Sequence, residues 1–371
     1  MKILYVINGL GSGGAENLLS VFIPNVKKQN SEVELLLLSG HDAVANYRDR
    51  IAACGVIMHD LKVQNIYSLK CISALRKFFE AREFDIIHVH LFPAMYWLPI
   101  SLIAKKRCGQ LVFTEHSTHN RRWGKPYFRI LDSYVYKRYS AIIAITKEIK
   151  IKLGAWIPSI VDKITVINNG INLDKIGETK EAERIRFLRE RQLKEGVVLL
   201  MMTARFELPK SHSFLLHVLN KLPYHYHLLF AGEGNLMSQV QNEARDLNLS
   251  ERTHFLGFRN DAIALMKMAD INILSSKYEG MSGVTLEAMA AGRPFLGSNV
   301  SGIQNVVPDD RFLFEHDDAD ELATRISTIM GNKSLTSSMI VTGLNYVQKY
   351  DINKMVSDHM LLYKALTDRR K

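Results

Sequence analysis

Cysteine is scarce in this chain. Cys54, Cys71 and Cys108 stand alone among 371 residues, with neither the paired spacing of a zinc site nor the density of a disulfide framework. The three thiols read as core fillers, and a reducing compartment is the expected setting. Long apolar runs are missing as well: none approaches the roughly 20 residues that carry a helix across a bilayer. The opening Met1-Lys2-Ile3-Leu4-Tyr5-Val6-Ile7 leads into glycines as a first strand would, so no signal peptide is expected and the cytoplasm is the expected location. Also lacking are an Asp-x-Asp pair behind a strand to hold magnesium, histidines at zinc spacing, and any motif for binding RNA or DNA.

What is present is a globular composition, 47% hydrophobic, on a chain long enough for two cores. The net charge of +10 is unevenly held: residues 1–170 carry 23 lysines and arginines against 13 aspartates and glutamates, while residues 171–371 carry 25 of each. The first half is the basic half. Its cations gather at 104–107 and at 120–129, where they alternate with aromatics. Such a patch suits an anionic membrane surface, each nearby cation contributing on the order of 1 kcal/mol, or an anionic acceptor; a solvated surface is the plain alternative. Arg121, Arg122, Trp123 and Lys125 are read as this acceptor or membrane patch.

Strand and helix signals alternate through both halves. Strands are expected at 2–7, 32–38, 55–59, 85–90, 110–115 and 141–144, then at 197–202, 227–231, 253–255, 271–274 and 294–297. Helices are expected at 16–28, 66–81, 128–138 and 284–291. Alternation of this kind predicts α/β architecture: two Rossmann-like, doubly wound parallel-sheet domains facing a cleft. The charged stretch ending at 195 reads as a linker plus a helix, which places the domains at 1–172 and 173–345. Residues 346–371 are expected to form a C-terminal helix that crosses back to the first domain, because apolar positions keep helical spacing over 334–366.

The densest chemical signal is at 278–289, Tyr-Glu-Gly-Met-Ser-Gly-Val-Thr-Leu-Glu-Ala-Met, with Glu279 and Glu287 eight positions apart. Glu279 falls in the turn between the strand at 271–274 and the helix at 284–291. That turn offers the backbone N–H groups of Met281, Ser282, Gly283 and Val284 at a helix N-terminus, a place suited to a diphosphate. Glu287 lies one turn into the helix, where a carboxylate can accept hydrogen bonds from vicinal ribose hydroxyls while Glu279 meets a sugar. Either glutamate alone would read as a solvated residue favoured by the helix dipole. Arg205 and Lys210, however, also leave a strand at its carboxyl end, where ligands of open α/β sheets bind. Together a guanidinium and an ammonium can neutralise a departing diphosphate without a metal. No metal cofactor is therefore expected, and the implied ligand is a nucleotide-sugar donor.

In the first half, Asn8-Gly9-Leu10-Gly11-Ser12-Gly13-Gly14-Ala15-Glu16 follows the first strand. It lacks the G-x-G-x-x-G dinucleotide fingerprint but offers close backbone N–H groups to a phosphate or sugar. His116, behind the strand at 110–115, is either a sugar contact or a satisfied structural histidine; His88 and His90 read as core or rim residues.

Arg205 and Lys210, the Glu279 to Glu287 loop-helix, Gly13-Gly14-Ala15-Glu16 and Asn168-Asn169-Gly170-Ile171 together resemble family 4 of the retaining glycosyltransferases, over roughly residues 2–365. The resemblance implies a GT-B fold with the donor bound mainly by the second domain and the acceptor by the first. It implies that Glu279 and His116 contact the transferred sugar, that Glu287 holds the ribose, and that Arg205 and Lys210 stabilise the departing diphosphate. Met281, Ser282, Gly283 and Val284 would contact sugar and phosphates, Gly14 a phosphate, and Phe258 the base. The chain departs from the common family pattern at Ala204-Arg205-Phe206, Lys210-Ser211-His212 and Met281-Ser282-Gly283, so the donor sugar stays open. The implied reaction moves a sugar, UDP-linked by resemblance, to a polyprenyl-diphosphate-linked saccharide at the inner face of the cytoplasmic membrane, for O-antigen, capsule or exopolysaccharide. A sugar-nucleotide 2-epimerase and a non-catalytic sugar-nucleotide-binding protein are the competing readings.

Overall fold

The computed structural model describes residues 1–29, 31–103, 105, 108–117, 122–173 and 181–368. The chain divides into two compact units, Met1–Gly170 with Tyr350–Lys371, and Ile171–Lys349. The first holds β1 (Lys2–Ile7), β2 (Glu32–Leu37), β3 (Ile57–Asp60), β4 (Ile86–His90), β5 (Gln110–Glu115), β6 (Ala141–Ala144) and β7 (Ile164–Val166). These form one sheet in the order β3-β2-β1-β4-β5-β6-β7, parallel throughout. The second holds β8 (Val198–Thr203), β9 (Tyr226–Ala231), β10 (Thr253–Phe255), β11 (Ile271–Leu274), β12 (Phe295–Ser298) and β13 (Leu313–Phe314), in the parallel order β10-β9-β8-β11-β12-β13. Helices cover each sheet, which is why the central strands are near-continuous apolar runs: all six residues of β9 and all four of β11 are buried. The architecture is the GT-B type, two Rossmann-like domains.

Strands that are short apolar blocks lie where the sequence places them, but several helices do not announce themselves. The helix Ala45–Ala52 is too polar to show a stripe, burying Tyr47 and Ile51 alone. The helix Glu181–Glu190 lies in the charged stretch, where Arg184 donates to Asp270 Oδ2 at 2.9 Å and ties the helix to the start of β11; residues 174–180 of that stretch lie outside the described residues. The expected single helical segment at 334–366 is two helices, Lys333–Val347 and Ile352–Asp368. The break has a local cause: a 3-10 turn at Gln348–Tyr350 is followed by Asp351, whose carboxylate accepts the N–H of Asn353 at 2.8 Å and starts the second helix.

The helix Ile352–Asp368 belongs to the first unit. Its Ile352, Met355, Val356, Tyr363 and Leu366 join Ile3, Tyr5, Leu19, Phe22 and Ile86 in one buried core. Gly170 lets the chain pass close to its start: a Cβ there would lie 2.7 Å from Ile352 Cα.

Candidate active site

The second sheet winds outward from β8 through β9 to β10, then restarts beside β8 at β11 and winds the other way. Loops leaving β8 and β11 therefore diverge and open a crevice at the carboxyl ends, the usual ligand position in such sheets. Lys210 comes from the β8 loop and Glu279 from the β11 loop. Lys210 Nζ and Glu279 Oε1 form an ion pair between two mostly buried side chains, and Ser276 Oγ donates to the same oxygen at 2.6 Å. The loops are stitched at the backbone too: Lys277 N–H donates to Pro209 O at 2.7 Å, and Ser275 Oγ–H to Lys210 O at 3.0 Å.

Beyond Glu279 the helix Gly283–Ala290 begins under a serine cap. Ser282 Oγ accepts from Thr285 N at 3.3 Å and from Thr285 Oγ1 at 2.9 Å, while Ser282 N donates to Gly302 O at 3.1 Å. The N–H groups of Gly283 and Val284 have no intrahelical acceptor in reach, so the partial positive charge of the first turn stays available beside the ion pair. Glu287 lies one turn along this helix, half-buried. Gly302 is the residue that lets the chain close here: a Cβ at this position would collide with the Glu279 carbonyl and lie 2.6 Å from Glu279 Cβ. Gly232, at φ +148°, likewise lets the β9 loop meet Ala204, so that Phe206 N donates to Glu233 O at 2.9 Å. Phe206 is fully buried and stacks on His212 with centroids 4.0 Å apart. Burial, with a smaller contribution from the Lys210 charge, pulls the His212 pKa down to about 4.

Arg205 is not part of the ion pair with Glu279. It is exposed at the rim, with Nη1 2.8 Å from Glu207 Oε1. Phe258 follows β10, two strands from β8; it is exposed, and its N–H donates to Glu233 Oε1 at 3.3 Å. Met281 is half-buried and Ser282 buried.

The first unit has its own reversal, between β1 and β4. Asn8 bridges it, donating from Nδ2 to Phe92 O at 2.8 Å and accepting from Ala94 N at 3.2 Å. Gly14 is the exposed first residue of the helix Gly14–Lys27. His116, directly after β5, has Nε2 3.0 Å from Nδ1 of His90, the last residue of β4. His88 lies between Tyr363 OH at 2.6 Å and Thr114 Oγ1 at 2.7 Å, and Tyr363 OH lies 3.3 Å from Tyr5 OH. Burial lowers every imidazole pKa in this cluster, those of His116 and His359 to about 4 and those of His88 and His90 well below the ordinary value. All four are therefore neutral near pH 7. His90 Nε2 is buried with no hydrogen-bond partner among the described residues. An orphaned N–H costs more than an orphaned lone pair. The arrangement thus favours a proton on His90 Nδ1, donated to His116 Nε2, which leaves His116 with its own proton on Nδ1.

The expected basic patch needs correction. Arg121 lies outside the described residues. Arg122 is not a surface residue: it is 6% exposed, donating from Nη1 to Asp132 Oδ1 at 2.9 Å and to Tyr96 OH at 2.6 Å. Asp132 also accepts from Tyr96 OH and from Trp156 Nε1, so the guanidinium is neutralised inside a buried polar network. Trp123 is half-buried with its indole Nε1 enclosed, and Lys125 is exposed. Sequence reasoning missed this network, along with Ser276, Gly302, His359 and Tyr363; Asp132, a lone acid in an otherwise apolar and basic helix, is the one local signal that could have found part of it.

Among the described residues no group of three or more His, Cys, Asp or Glu side chains is placed to hold a metal ion. Residues 12–175 match the family model for Glycosyltransferase Family 4, and residues 183–344 match that for Glycosyl transferases group 1. A UDP-Gal:alpha-D-GlcNAc-diphosphoundecaprenol alpha-1,3-galactosyltransferase of Escherichia coli is 27% identical over 81% of this chain and 81% of its own length. An N-acetylgalactosamine-N,N'-diacetylbacillosaminyl-diphospho-undecaprenol 4-alpha-N-acetylgalactosaminyltransferase of Campylobacter jejuni is 24% identical over 96% of this chain and 98% of its own. Among solved structures, Anabaena HepE in complex with UDP superposes with a TM-score of 0.84 at 18% identity, over 98% of this chain and 100% of HepE.

Proposed function

The chain belongs to the glycosyltransferases that join a family 4 domain to a group 1 domain, and from that premise we propose that it moves a hexose or N-acetylhexosamine from a UDP-sugar to a lipid-linked saccharide, keeping the anomeric configuration. The observation that carries the proposal is the Lys210–Glu279 pair at the reversal of the second sheet, beside the Ser282-capped helix. A nucleotide sugar needs two unlike things at one place: positive charge for its diphosphate and an acceptor of hydroxyl hydrogen bonds for its sugar. An ammonium has three donors, and the ion pair occupies one of them. Lys210 can thus hold a phosphate oxygen while still orienting Glu279 toward the sugar.

In this mechanism the chain supplies orientation and electrostatics rather than a covalent intermediate. The acceptor hydroxyl attacks from the face that the diphosphate leaves, and the diphosphate takes the hydroxyl proton. Lys210, Arg205 and the N–H groups of Gly283 and Val284 stabilise the charge that develops on the leaving oxygens; Met281 completes the phosphate and sugar contacts, while Ser282, whose N–H is already given to Gly302 O, acts by capping the helix rather than through the backbone contact expected of it. Glu287 holds the ribose and Phe258 lies by the base; His116 and Gly14, in the first unit, keep the roles that the resemblance implies, a sugar contact and a phosphate contact. Both relatives are named for alpha-linked products, which from an alpha-linked donor means retention. Their names also specify diphosphoundecaprenol acceptors, and a lipid-linked acceptor in cell-surface polysaccharide synthesis is proposed here, with the protein peripheral on the inner face of the membrane. No helix among the described residues is long and apolar enough to cross a membrane.

A panel of UDP- and GDP-sugars, incubated with a synthetic polyprenyl-diphosphate-linked sugar, tests the proposal through release of free nucleoside diphosphate and product mass. Acceptor-dependent UDP release with a gain of one sugar, alpha-linked by NMR, is expected. Conversion of the donor without acceptor would replace the transferase with an epimerase, and donor binding without turnover would replace it with a binding protein.

A further inference from the structure

Two fully buried serines, Ser275 and Ser276, follow β11 side by side and give their hydroxyls to different loops. Ser275 Oγ lies 3.0 Å from Lys210 O and 3.1 Å from Ser211 O, so its single hydrogen is shared between two carbonyls of the β8 loop. Ser276 Oγ donates to Glu279 Oε1 at 2.6 Å, the same oxygen that Lys210 Nζ meets. A third buried hydroxyl, Ser298 Oγ at the end of β12, donates to Ser276 O and holds the main chain there. Neighbouring residues of one strand end thus grip the two halves of the ion pair separately.

Each grip fixes something that would otherwise turn. Ser211 is a non-glycine residue at φ +53°, in the left-handed region that an L side chain seldom occupies, and the carbonyls that Ser275 meets flank its Cα. The Ser275 bond therefore secures the turn that sends Lys210 into the crevice. Glu279 presents the matching problem, because the last torsion of a glutamate is broad and roughly two-fold. An ammonium on a flexible stem does little to stop that rotation. A second donor on the same oxygen, carried by a strand end, stops it and sets where Oε2 lies. Full burial keeps both serine hydroxyls from reaching a ligand themselves.

We infer that Ser275 and Ser276 divide the donor between them as positioning residues: Ser275 sets the Lys210 loop for the diphosphate, and Ser276 sets the Glu279 carboxylate for the sugar. This division deepens the nucleotide-sugar reading above and rests on it for what Lys210 and Glu279 meet. Its consequence is a split between two adjacent and equally buried residues. Loss of the Ser275 hydroxyl weakens every ligand that carries the diphosphate, with or without a sugar. Loss of the Ser276 hydroxyl is felt through the sugar alone.

The test uses the full chain and measures calorimetric affinity for UDP and for UDP-galactose, UDP-glucose, UDP-N-acetylgalactosamine and UDP-N-acetylglucosamine, following the sugar nucleotide that the wild type binds most tightly. Ser276→Ala should weaken that sugar nucleotide about tenfold and UDP by less than about twofold, as loss of one hydrogen bond to a charged group predicts. Ser275→Ala should weaken both ligands alike, by about fivefold. In a Glu279→Ala background Ser276→Ala should have no further effect on the sugar nucleotide, while Ser275→Ala keeps its loss. Urea unfolding of each variant shows that it folds. A packing defect at the strand end would move UDP and the sugar nucleotide together in both variants; that outcome overturns the inference, as does a Ser276→Ala protein that binds the sugar nucleotide like the wild type. The split found in a protein that moves no sugar to any acceptor would uphold the two positioning roles and remove the transferase proposal. Acceptor-dependent transfer whose kcat/KM ignores Ser276→Ala would keep the transferase and remove the positioning roles.

Discussion

Both sheets reverse their winding once, between β1 and β4 in the first unit and between β8 and β11 in the second, yet the side chains gathered at the two reversals are electrical opposites. In the first they are buried imidazoles and phenols, held neutral by desolvation. In the second they are an ammonium and a carboxylate in contact, beside a helix N-terminus, with an arginine at the rim. Topology supplies a crevice in each case and leaves its chemistry to the residues that happen to emerge there. Neutral donors and acceptors suit hydroxyl groups, whose hydrogen bonds need direction more than charge. A diphosphate needs charge.

The widest separation between the units should appear in acid. An imidazole whose folded pKa is depressed binds fewer protons in the native chain than in the unfolded one, so its contribution is fully present above about pH 6.5 and is lost as pH falls toward the folded value. For His116 and His359, lowered to about 4 by burial, the window runs from about pH 6.5 down to 4. Each can remove up to about 1.4 kcal/mol per pH unit there. Glu115, raised by burial, acts in the opposite direction, and the second unit has depressed imidazoles of its own at His212, His227 and His254, so the contrast is a local one: β4 carries His88 and His90, whereas β11 carries no histidine. Hydrogen exchange at pH 5 should show β4 losing more protection than β11; equal loss would break the comparison.

Next in size is charge at the second reversal. Lys210→Ala or Arg205→Ala should lower kcat on the order of 100-fold with the fold intact, as removal of one donor to developing charge does. Near-wild-type turnover would show that these cations are not the leaving-group contacts. Gly302→Ala tests the geometry of the same site without touching its charges: the added methyl meets Glu279, and a loss of about 1–3 kcal/mol is expected in urea unfolding together with weaker UDP binding. At the first reversal, His90→Phe should lower kcat about tenfold through loss of one hydrogen bond to His116. His90→Asn, whose amide N–H can stand where Nδ1–H stood, should recover most of it, and nitrogen NMR of the wild type should find the His116 proton on Nδ1. The smallest effect belongs to Phe258→Ala, about a threefold rise in donor KM with kcat kept.

How much of this could be read from the residues in order differs along the chain. β1, β5 and β11 were legible because each is a compact apolar block with polar punctuation. The loops bearing Arg205, Lys210 and Glu279 were legible for a related reason: charged side chains directly behind such blocks stand out from the usual small polar residues. The histidine cluster was not. His88 and Tyr363 are 275 positions apart, and nothing near either one signals the other. Arg122 was misplaced because its neighbours look like a solvated basic stretch; its burial depends on Asp132, ten positions on, and on Tyr96 and Trp156 from other elements. The helix Ala45–Ala52 was missed because two buried side chains in eight residues leave no periodic pattern to detect.

The return of the C-terminal helix to the first unit sets an order of events in synthesis. Residues 171–349 are contiguous, so the second unit has all its strands and helices as soon as Lys349 has been made. The first unit at that moment still lacks Met355, Val356, Tyr363 and Leu366 from its core, and His88 still lacks the tyrosine hydroxyl that it will meet. The part of the chain that is made first therefore cannot complete its core until the last helix has been made, and it holds an open seam along Tyr5, Phe22 and Ile86 until then.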